Sequence, residues 1–187
     1  MIVYVHAYDM FDAGTTWSRH SRAGDVAQIV LEQRDTIATL VQRVRTAARS
    51  ERSIYTLIIN AHGEINPAGR SIGSVSLSDI TSLDAGTALQ MAPLAPYFSS
   101  PCNGVELHSC EVLASPLGWN LCRVLARELR VNVYASNAPQ RGVSPWYSST
   151  PPDTRGRFEG VVMRFAPDGT YTNAVPELRA RDLISAS

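Results

Sequence analysis

The sequence predicts an α/β fold, a three-layer sandwich in which helices cover both faces of a mainly parallel sheet. Two patterns lead to this class. Short apolar runs alternate along the chain with segments of helical periodicity, and the central runs are apolar at successive positions, as in strands that are covered on both faces. The 187 residues are 44% hydrophobic and 18% charged, which is enough apolar surface for a core. We therefore expect a single domain over residues 1–187.

The N-terminal third predicts a strand, a helix and a second strand. Residues 2–7 form a short apolar run that is typical of a buried strand. Between residues 26 and 48, apolar side chains recur at helical spacing, which predicts one long amphipathic helix with Asp25 as its N-cap. Residues 54–60 are apolar on both alternations, so we expect a parallel strand that ends just before His62.

The middle of the chain predicts a long loop, a short helix and another strand. Glycine, serine and aspartate are frequent in residues 64–85, which predicts a loop with at most a small hairpin at 72–77. A short helix is expected over residues 87–98. The next strand, at 104–109, ends at Cys110.

A second long helix is predicted over residues 116–129, because Ser115 and Pro116 form a good N-cap and first turn. Its apolar side chains are expected to form one inner face: Leu117, Leu121, Val124, Leu125 and Leu129. The strand that follows, at 131–136, completes an alternation of strands and helices. This alternation predicts parallel pairing with right-handed crossovers.

The C-terminal part differs from the rest of the chain in composition and in predicted structure. Residues 137–157 are rich in proline, serine and glycine. A structureless segment longer than about 12–15 residues is uncommon in a compact domain, so this loop is a candidate for function. Residues 160–165 and 170–175, joined by the turn sequence APDG, predict a β-hairpin at the edge of the sheet.

Charge and cysteine content limit the classes of partner and compartment. The 17 basic and 17 acidic residues balance, so no bulk charge favours nucleic acid or anionic lipid. The first residues have neither the basic region nor the long apolar run of a signal peptide or membrane anchor. Three cysteines are too few for a disulfide scaffold, so a cytoplasmic, reducing compartment is the default.

All the basic residues are arginine. Two explanations stay open. A GC-rich genome replaces lysine by arginine on a solvated surface. Alternatively, the protein is delivered into a eukaryotic host cell, where a chain without lysine offers no side-chain amine for ubiquitin.

Two reactive side chains follow predicted central strands. His62 comes after the strand LIINA, and Cys110 comes after VELHS. Ligands and catalytic groups gather outside the carboxyl ends of parallel strands, so the imidazole and the thiol can meet there if the two strands are neighbours. A thiolate is a nucleophile, and a nearby imidazole can exchange protons with it and with a leaving amine. Gly63 has no side chain, so its amide can approach an oxyanion, together with the amide of Cys110.

A strand ending in His-Gly, followed about 50 residues later by a strand ending in Cys and then a helix, resembles the caspase, gingipain, separase and CHAT superfamily of cysteine peptidases, clan CD. The segment GVELHSCEVLASPLGWNLCRVLARELRVNVYASNAP is similar to the nucleophile strand, helix and next strand of that family. The resemblance spans roughly residues 54–146. It implies a thiol protease with a caspase-like sheet, which needs no cofactor or metal and acts on a protein or peptide substrate.

The resemblance also implies a substrate cleft. The stretch ASNAPQRGVSPW is similar to the caspase segment that lines the cleft, which assigns Ser136, Ser144 and Trp146 to substrate binding, with Arg141 near the specificity pocket. The family's glutamine two residues before the nucleophile is His108 here, and Glu111 follows the nucleophile in place of arginine. Specificity for aspartate therefore does not transfer. A basic or an acidic residue before the scissile bond remains open.

Control of such a small peptidase is expected to come from outside its core. Three routes stay open: a regulatory protein partner, ordering of residues 137–157, and self-cleavage in a loop such as 64–85.

Two other functions remain alternatives to a peptidase. A binding or regulatory domain with the same sheet and no turnover is allowed, because fold does not determine function and because Glu111 adjoins the nucleophile. A metal-dependent hydrolase would use Glu106, His108 and Cys110, which alternate along one strand, together with His62. However, no HExxH or CxxC spacing accompanies these residues.

Overall fold

A seven-stranded sheet forms the centre of the protein. The computed structural model describes residues 1–7, 26–48, 53–138 and 160–174. The strands in these ranges are β1 (Ile2–His6), β2 (Val26–Val30), β3 (Thr56–Asn60), β4 (His62–Ile65), β5 (Ser71–Ser78), β6 (Thr81–Leu83), β7 (Gly104–His108), β8 (Val133–Ser136), β9 (Val162–Phe165) and β10 (Tyr171–Asn173). The main sheet has the order β10-β9-β8-β7-β3-β1-β2.

The central part of this sheet is parallel. Strands β2, β1, β3, β7 and β8 all run in one direction, and β9 runs antiparallel to β8 and forms a hairpin with β10. The mainly parallel α/β sheet and its C-terminal hairpin are thus confirmed.

The helices pack on one face of this sheet. They are α1 (Ile37–Ala48), a 3-10 segment (Ala88–Tyr97) and α2 (Pro116–Leu129), with a short 3-10 turn at Val112–Ala114 just before α2. The apolar side chains they bury belong to one hydrophobic cluster with every second residue of the central strands: Val3, Val5, Leu57, Ile59, Val105, Leu107, Val133 and Ala135. The described helices therefore supply one of the two helical layers that the sequence predicts, and this face holds the main core.

The opposite face of the central strands is more polar. The alternate positions of β1, β3 and β7 carry Tyr4, His6, Ile58, Asn60, Glu106 and His108. Tyr4, His6 and Glu106 are nevertheless no more than 5% exposed. The apolar side chains on this face, Ile2, Tyr4 and Ile58, form a small separate cluster. This face therefore buries polar groups that need partners within the protein.

The segment predicted as a loop at 64–85 is instead a second, antiparallel sheet of order β4-β5-β6. The prediction was wrong because serine and glycine conceal a period-two pattern: Val75, Leu77 and Leu83 are buried, while serines alternate with them. This small sheet packs against the start of α2. A Cβ atom on Gly73 would lie 2.1 Å from the amide nitrogen of Gly118, so the two backbones touch there.

The helix predicted over residues 26–48 is also wrong in its first part. Residues 26–30 are strand β2, and α1 begins only at Ile37. β-branched and apolar residues favour a strand in a covered position. Between the two elements, the amide of Glu32 donates to a carboxylate oxygen of Asp35 at 2.7 Å, which closes a turn that a continuous helix would not allow.

The 116–129 helix was predicted correctly. The Ser115 hydroxyl accepts a hydrogen bond from the Leu117 amide at 3.2 Å, as expected of an N-cap. Leu117 itself is 61% exposed, so its assignment to the inner face was wrong. The residue lies in the first turn, beyond the edge of the core. The helix predicted at 87–98 is a 3-10 segment containing two prolines, which lack the amide donors of a regular α-helix.

Helix α2 also contacts the hairpin at the sheet edge. The ring of Trp119 lies edge-on to Phe165 of β9 at 5.4 Å between centroids and to Tyr171 of β10 at 5.1 Å. The guanidinium of Arg123 lies 5.3 Å from the centroid of the Tyr171 ring. These contacts attach the edge strand to the helix layer. No helix within the described ranges is long and apolar enough to cross a membrane.

Candidate active site at the ends of β3 and β7

Strands β3 and β7 are neighbours in the sheet, as the sequence analysis required. Their last paired residues are Asn60 and His108. The two segments stay hydrogen-bonded beyond that pair, because the amide of Ala61 donates to the carbonyl oxygen of His108 at 3.3 Å. His62 and Cys110 each lie two residues beyond the last pair. Both reactive residues therefore lie just beyond the carboxyl ends of neighbouring strands, at the same end of the sheet.

Gly63 is in direct backbone contact with the nucleophile position. A Cβ atom on Gly63 would lie 2.0 Å from the carbonyl oxygen of Cys110 and 2.9 Å from its carbonyl carbon. These separations are far below any van der Waals contact. Every residue with a side chain would displace one of the two segments. The glycine after His62 is thus required by the close approach of the Cys110 main chain.

The candidate catalytic residues differ in their elements and exposure. His62 is exposed and begins β4, where it lies opposite Ser76 of β5. Cys110 is half-buried in the turn after β7. The small antiparallel sheet therefore positions the His62 backbone, and the large parallel sheet positions the backbone that leads to Cys110. The contact at Gly63 joins the two.

The turn after Cys110 is held from several sides. Glu111 has a φ of 53°, in the left-handed region that a residue with a side chain rarely adopts. Its amide donates to the carbonyl oxygen of Ala138 at 2.9 Å. Its carbonyl oxygen accepts from the Ser71 hydroxyl at 2.9 Å and from the amide of Ala114 at 2.9 Å. The Glu111 amide is therefore engaged within the protein, whereas the sequence analysis assigns the oxyanion site to the amides of Gly63 and Cys110.

The three cysteines are free and occupy different environments. Complete burial raises the pKa of the Cys122 thiol far above its ordinary value, as expected of a side chain in the core. Partial burial raises the pKa of Cys102, against a smaller opposing effect of a hydrogen bond with the Gly104 backbone. Neither thiol is suited to act as a nucleophile at neutral pH.

A buried polar network lies just before Cys110 on the polar face of the sheet. Glu106 is 1% exposed and accepts hydrogen bonds at both carboxylate oxygens, from the Asn103 side-chain amide at 2.7 Å and from Nε2 of His108 at 3.0 Å. His108, the residue that the resemblance associates with the specificity pocket, is therefore fixed by a carboxylate. The part played by Asn103 was missed, although a polar residue at a strand entrance is a detectable signal.

His6 occupies the same face at the end of β1. It is fully buried, and the side-chain amide of Asn60 lies 3.3 Å from its Nδ1. An amide N–H donating to Nδ1 requires a neutral ring with its proton on Nε2. Burial lowers the pKa of His6 from 6.5 to about 4. A buried, neutral ring of this kind is suited to a structural role.

The described residues do not support the metal hypothesis. Within residues 1–7, 26–48, 53–138 and 160–174, no three histidine, cysteine, aspartate or glutamate side chains converge on a point that could hold a metal ion. Glu106 and His108, two of the proposed ligands, are hydrogen-bonded to each other.

The predicted substrate-binding residues fall into two groups. The Ser136 side chain is fully buried and its hydroxyl accepts a hydrogen bond from the Ala138 amide at 3.1 Å, which gives it a role in shaping the chain. Arg141, Ser144 and Trp146 lie outside the described residues, as does most of the predicted functional loop at 137–157.

Comparison with known proteins gives no relative. The chain matches no family model, no curated protein and no solved structure.

Proposed function

We propose that the protein is a cysteine endopeptidase of caspase-like architecture, in which Cys110 and His62 form the catalytic dyad. The observation that carries this proposal is the contact of Gly63 with the Cys110 backbone. A Cβ at residue 63 would lie 2.0 Å from the Cys110 carbonyl oxygen. Gly63 and Cys110, which are far apart in the chain, therefore meet at the carboxyl ends of β3 and β7, in the order that the resemblance requires. The substrate is a protein or peptide, and the reaction needs no cofactor.

The dyad performs peptide hydrolysis in two steps. The Cys110 sulfur attacks the scissile carbonyl carbon and gives its proton to His62, while the carbonyl electrons move to the oxygen, which the amides of Gly63 and Cys110 hold. The carbon–nitrogen bond then breaks, and His62 protonates the leaving amine. Water attacks the resulting thioester, His62 accepts its proton, and the sulfur departs as the acid product is released.

Thiol alkylation tests the dyad without any knowledge of the substrate. We expect iodoacetamide at neutral pH to modify Cys110 stoichiometrically, whereas Cys122 stays unmodified because burial raises its pKa. Replacing His62 by alanine should slow modification of Cys110, while Cys102 serves as the internal reference. Peptide mapping by mass spectrometry measures each site. An inert Cys110, or one whose rate ignores His62→Ala, contradicts the dyad and favours a binding domain without turnover.

A pair of glycine variants tests the contact itself. Gly63→Ala places a methyl group against the Cys110 backbone and displaces Cys110 relative to His62, so we expect alkylation of Cys110 to become slower by about tenfold or more. In Gly86→Ala the nearest atom to the new Cβ would be a carboxylate oxygen of Asp84 at 3.3 Å, so little should change. Equal rates in the two variants would remove the role of the contact.

Peptidase activity requires a direct assay. A peptide library incubated with the wild-type protein should show cleavage at a restricted set of residues, and Cys110→Ala should abolish that cleavage. Cleavage that persists in Cys110→Ala would assign the activity to another group or to a contaminant.

A further inference from the structure

We propose that Asn137 and Ser136 are positioning residues for Cys110, which act through the backbone of Glu111. This inference deepens the proposed dyad and rests on it for its catalytic meaning. The two residues lie at the end of β8, in a structure that we call the neck. The neck consists of Ser136, Asn137 and Ala138 on one side and of Gly160 and Val161 on the other.

The two sides of the neck are joined by hydrogen bonds. The Asn137 amide donates to the carbonyl oxygen of Val161 at 3.3 Å, and the Val161 amide donates to the Asn137 side-chain oxygen Oδ1 at 3.0 Å. Gly160 fits against them with a φ of 80°, and a Cβ there would lie 2.4 Å from the Cβ of Ala138. Ala138 and Gly160 therefore lie side by side at the end of the sheet.

The neck fixes the direction of one carbonyl group. The buried Ser136 hydroxyl accepts from the Ala138 amide at 3.1 Å, which turns the chain sharply after β8. The carbonyl oxygen of Ala138 then accepts the Glu111 amide at 2.9 Å. Residues from a later strand thus reach back to the residue that follows the nucleophile.

This bond matters because the Glu111 backbone is strained. Its left-handed conformation is costly for a residue with a side chain and persists only where neighbouring groups hold it. Ser71 holds the carbonyl side of Glu111, and Ala138 holds the amide side. If the Ala138 bond is lost, the turn can relax, and Cys110 moves with it. The neck therefore determines where the thiol stands relative to His62.

Asn137 is exposed, so its substitution should leave the core intact. We would compare Asn137→Ala, which removes the Oδ1 acceptor, with Asn137→Asp, which keeps an acceptor oxygen. The matched control is Asp168→Ala. Asp168 accepts hydrogen bonds from the amide of Thr170 at 2.9 Å and from its hydroxyl at 2.7 Å, in the turn at the opposite end of β9. Ser136→Ala is a second variant, which removes the hydroxyl that accepts the Ala138 amide.

Two measurements are made on each full-length variant. Hydrogen exchange of the Glu111 amide, followed by NMR, reports the bond to Ala138 directly. The pH profile of Cys110 alkylation reports the position of the thiol. For Asn137→Ala we expect Glu111 exchange to become about tenfold faster and alkylation at neutral pH to become slower, with wild-type behaviour in Asn137→Asp and Asp168→Ala.

Unchanged Glu111 exchange in both Asn137→Ala and Ser136→Ala would overturn the inference, and so would an equal increase in Asp168→Ala. Faster exchange with an unaltered alkylation profile would also overturn it, because the bond would then have no effect on Cys110. The exchange measurement does not depend on peptidase activity. Failure of the dyad would appear instead as a Cys110 thiol that is inert in the wild-type protein.

Discussion

The two faces of the central strands are built from alternate residues of the same strands and differ in chemistry. Leu57, Leu107 and their neighbours on one face pack against α1, the 3-10 segment and α2. On the other face, His6, Asn60, Glu106 and His108 are hydrogen-bonded to one another or to nearby side chains. Stability on the first face comes from apolar area removed from water. The second face also depends on hydrogen bonds between its polar side chains.

The comparison indicates how one sheet can serve stability and function together. Alternation along a strand lets a buried leucine and a buried glutamate be sequence neighbours without sharing an environment, as Glu106 and Leu107 do. Cys110 lies three residues after Leu107. Packing of the apolar face holds strand β7 in place, and the polar residues Glu106 and His108 lie just before the candidate site.

The largest effect is expected on the apolar face. Leu107→Ala removes a fully buried side chain and leaves a cavity, so the free energy of unfolding should fall by about 2–5 kcal/mol. Leu117→Ala is the control, because Leu117 is 61% exposed and should change stability by less than about 0.5 kcal/mol. Urea unfolding measures both. Similar losses in the two variants would contradict the division into faces.

The polar face should make stability depend on pH through His6. The folded protein holds this ring neutral with a pKa of about 4, while the unfolded chain binds a proton near pH 6.5. The stabilisation is therefore complete above pH 6.5 and is lost as the pH falls towards 4, by at most about 3 kcal/mol. His6→Gln should flatten the stability profile in this window. A wild-type profile that matches the variant would show that His6 does not titrate in this way.

A smaller loss of stability is expected from substitution of Glu106, the residue before Leu107 on the polar face. Glu106→Gln preserves the shape of the side chain but replaces one carboxylate oxygen by an NH2 group. That group would face a hydrogen-bond donor, either the Asn103 amide or Nε2 of His108, so the free energy of unfolding should fall by about 1–3 kcal/mol. Glu32→Gln is the matched control, since the Glu32 side chain is 80% exposed. Thermal unfolding compares the two substitutions. A neutral Glu106→Gln would mean that the polar face tolerates a missing acceptor.

The sequence predicted the apolar framework better than the polar one. Helix α2 and strands β1, β3, β7 and β8 were located because buried residues recur with a clear period, and the N-cap at Ser115 has a distinctive local signal. The β4-β5-β6 sheet was missed because serines and glycines weaken that period. Strand β2 was assigned to a helix because its apolar spacing fits both periods over so few residues.

The candidate site was only partly accessible from sequence. His62, Gly63 and Cys110 could be found because each follows a predictable strand. The connection between Ala138 and Glu111, and that between Ser71 and Glu111, join segments distant in sequence through backbone groups. Such bonds carry no residue-type signal. The steric need for Gly63 likewise became visible only with the Cys110 carbonyl in place.

The aromatic contacts of Trp119 provide an optical probe for the edge of the sheet. Its indole donates a hydrogen bond to the carbonyl oxygen of Leu113 at 2.9 Å and lies against Phe165 and Tyr171. In a protein in which Trp17 and Trp146 are replaced by phenylalanine, emission would come from Trp119 alone. A red shift would then report separation of the terminal hairpin from α2, seen in real time and without a label.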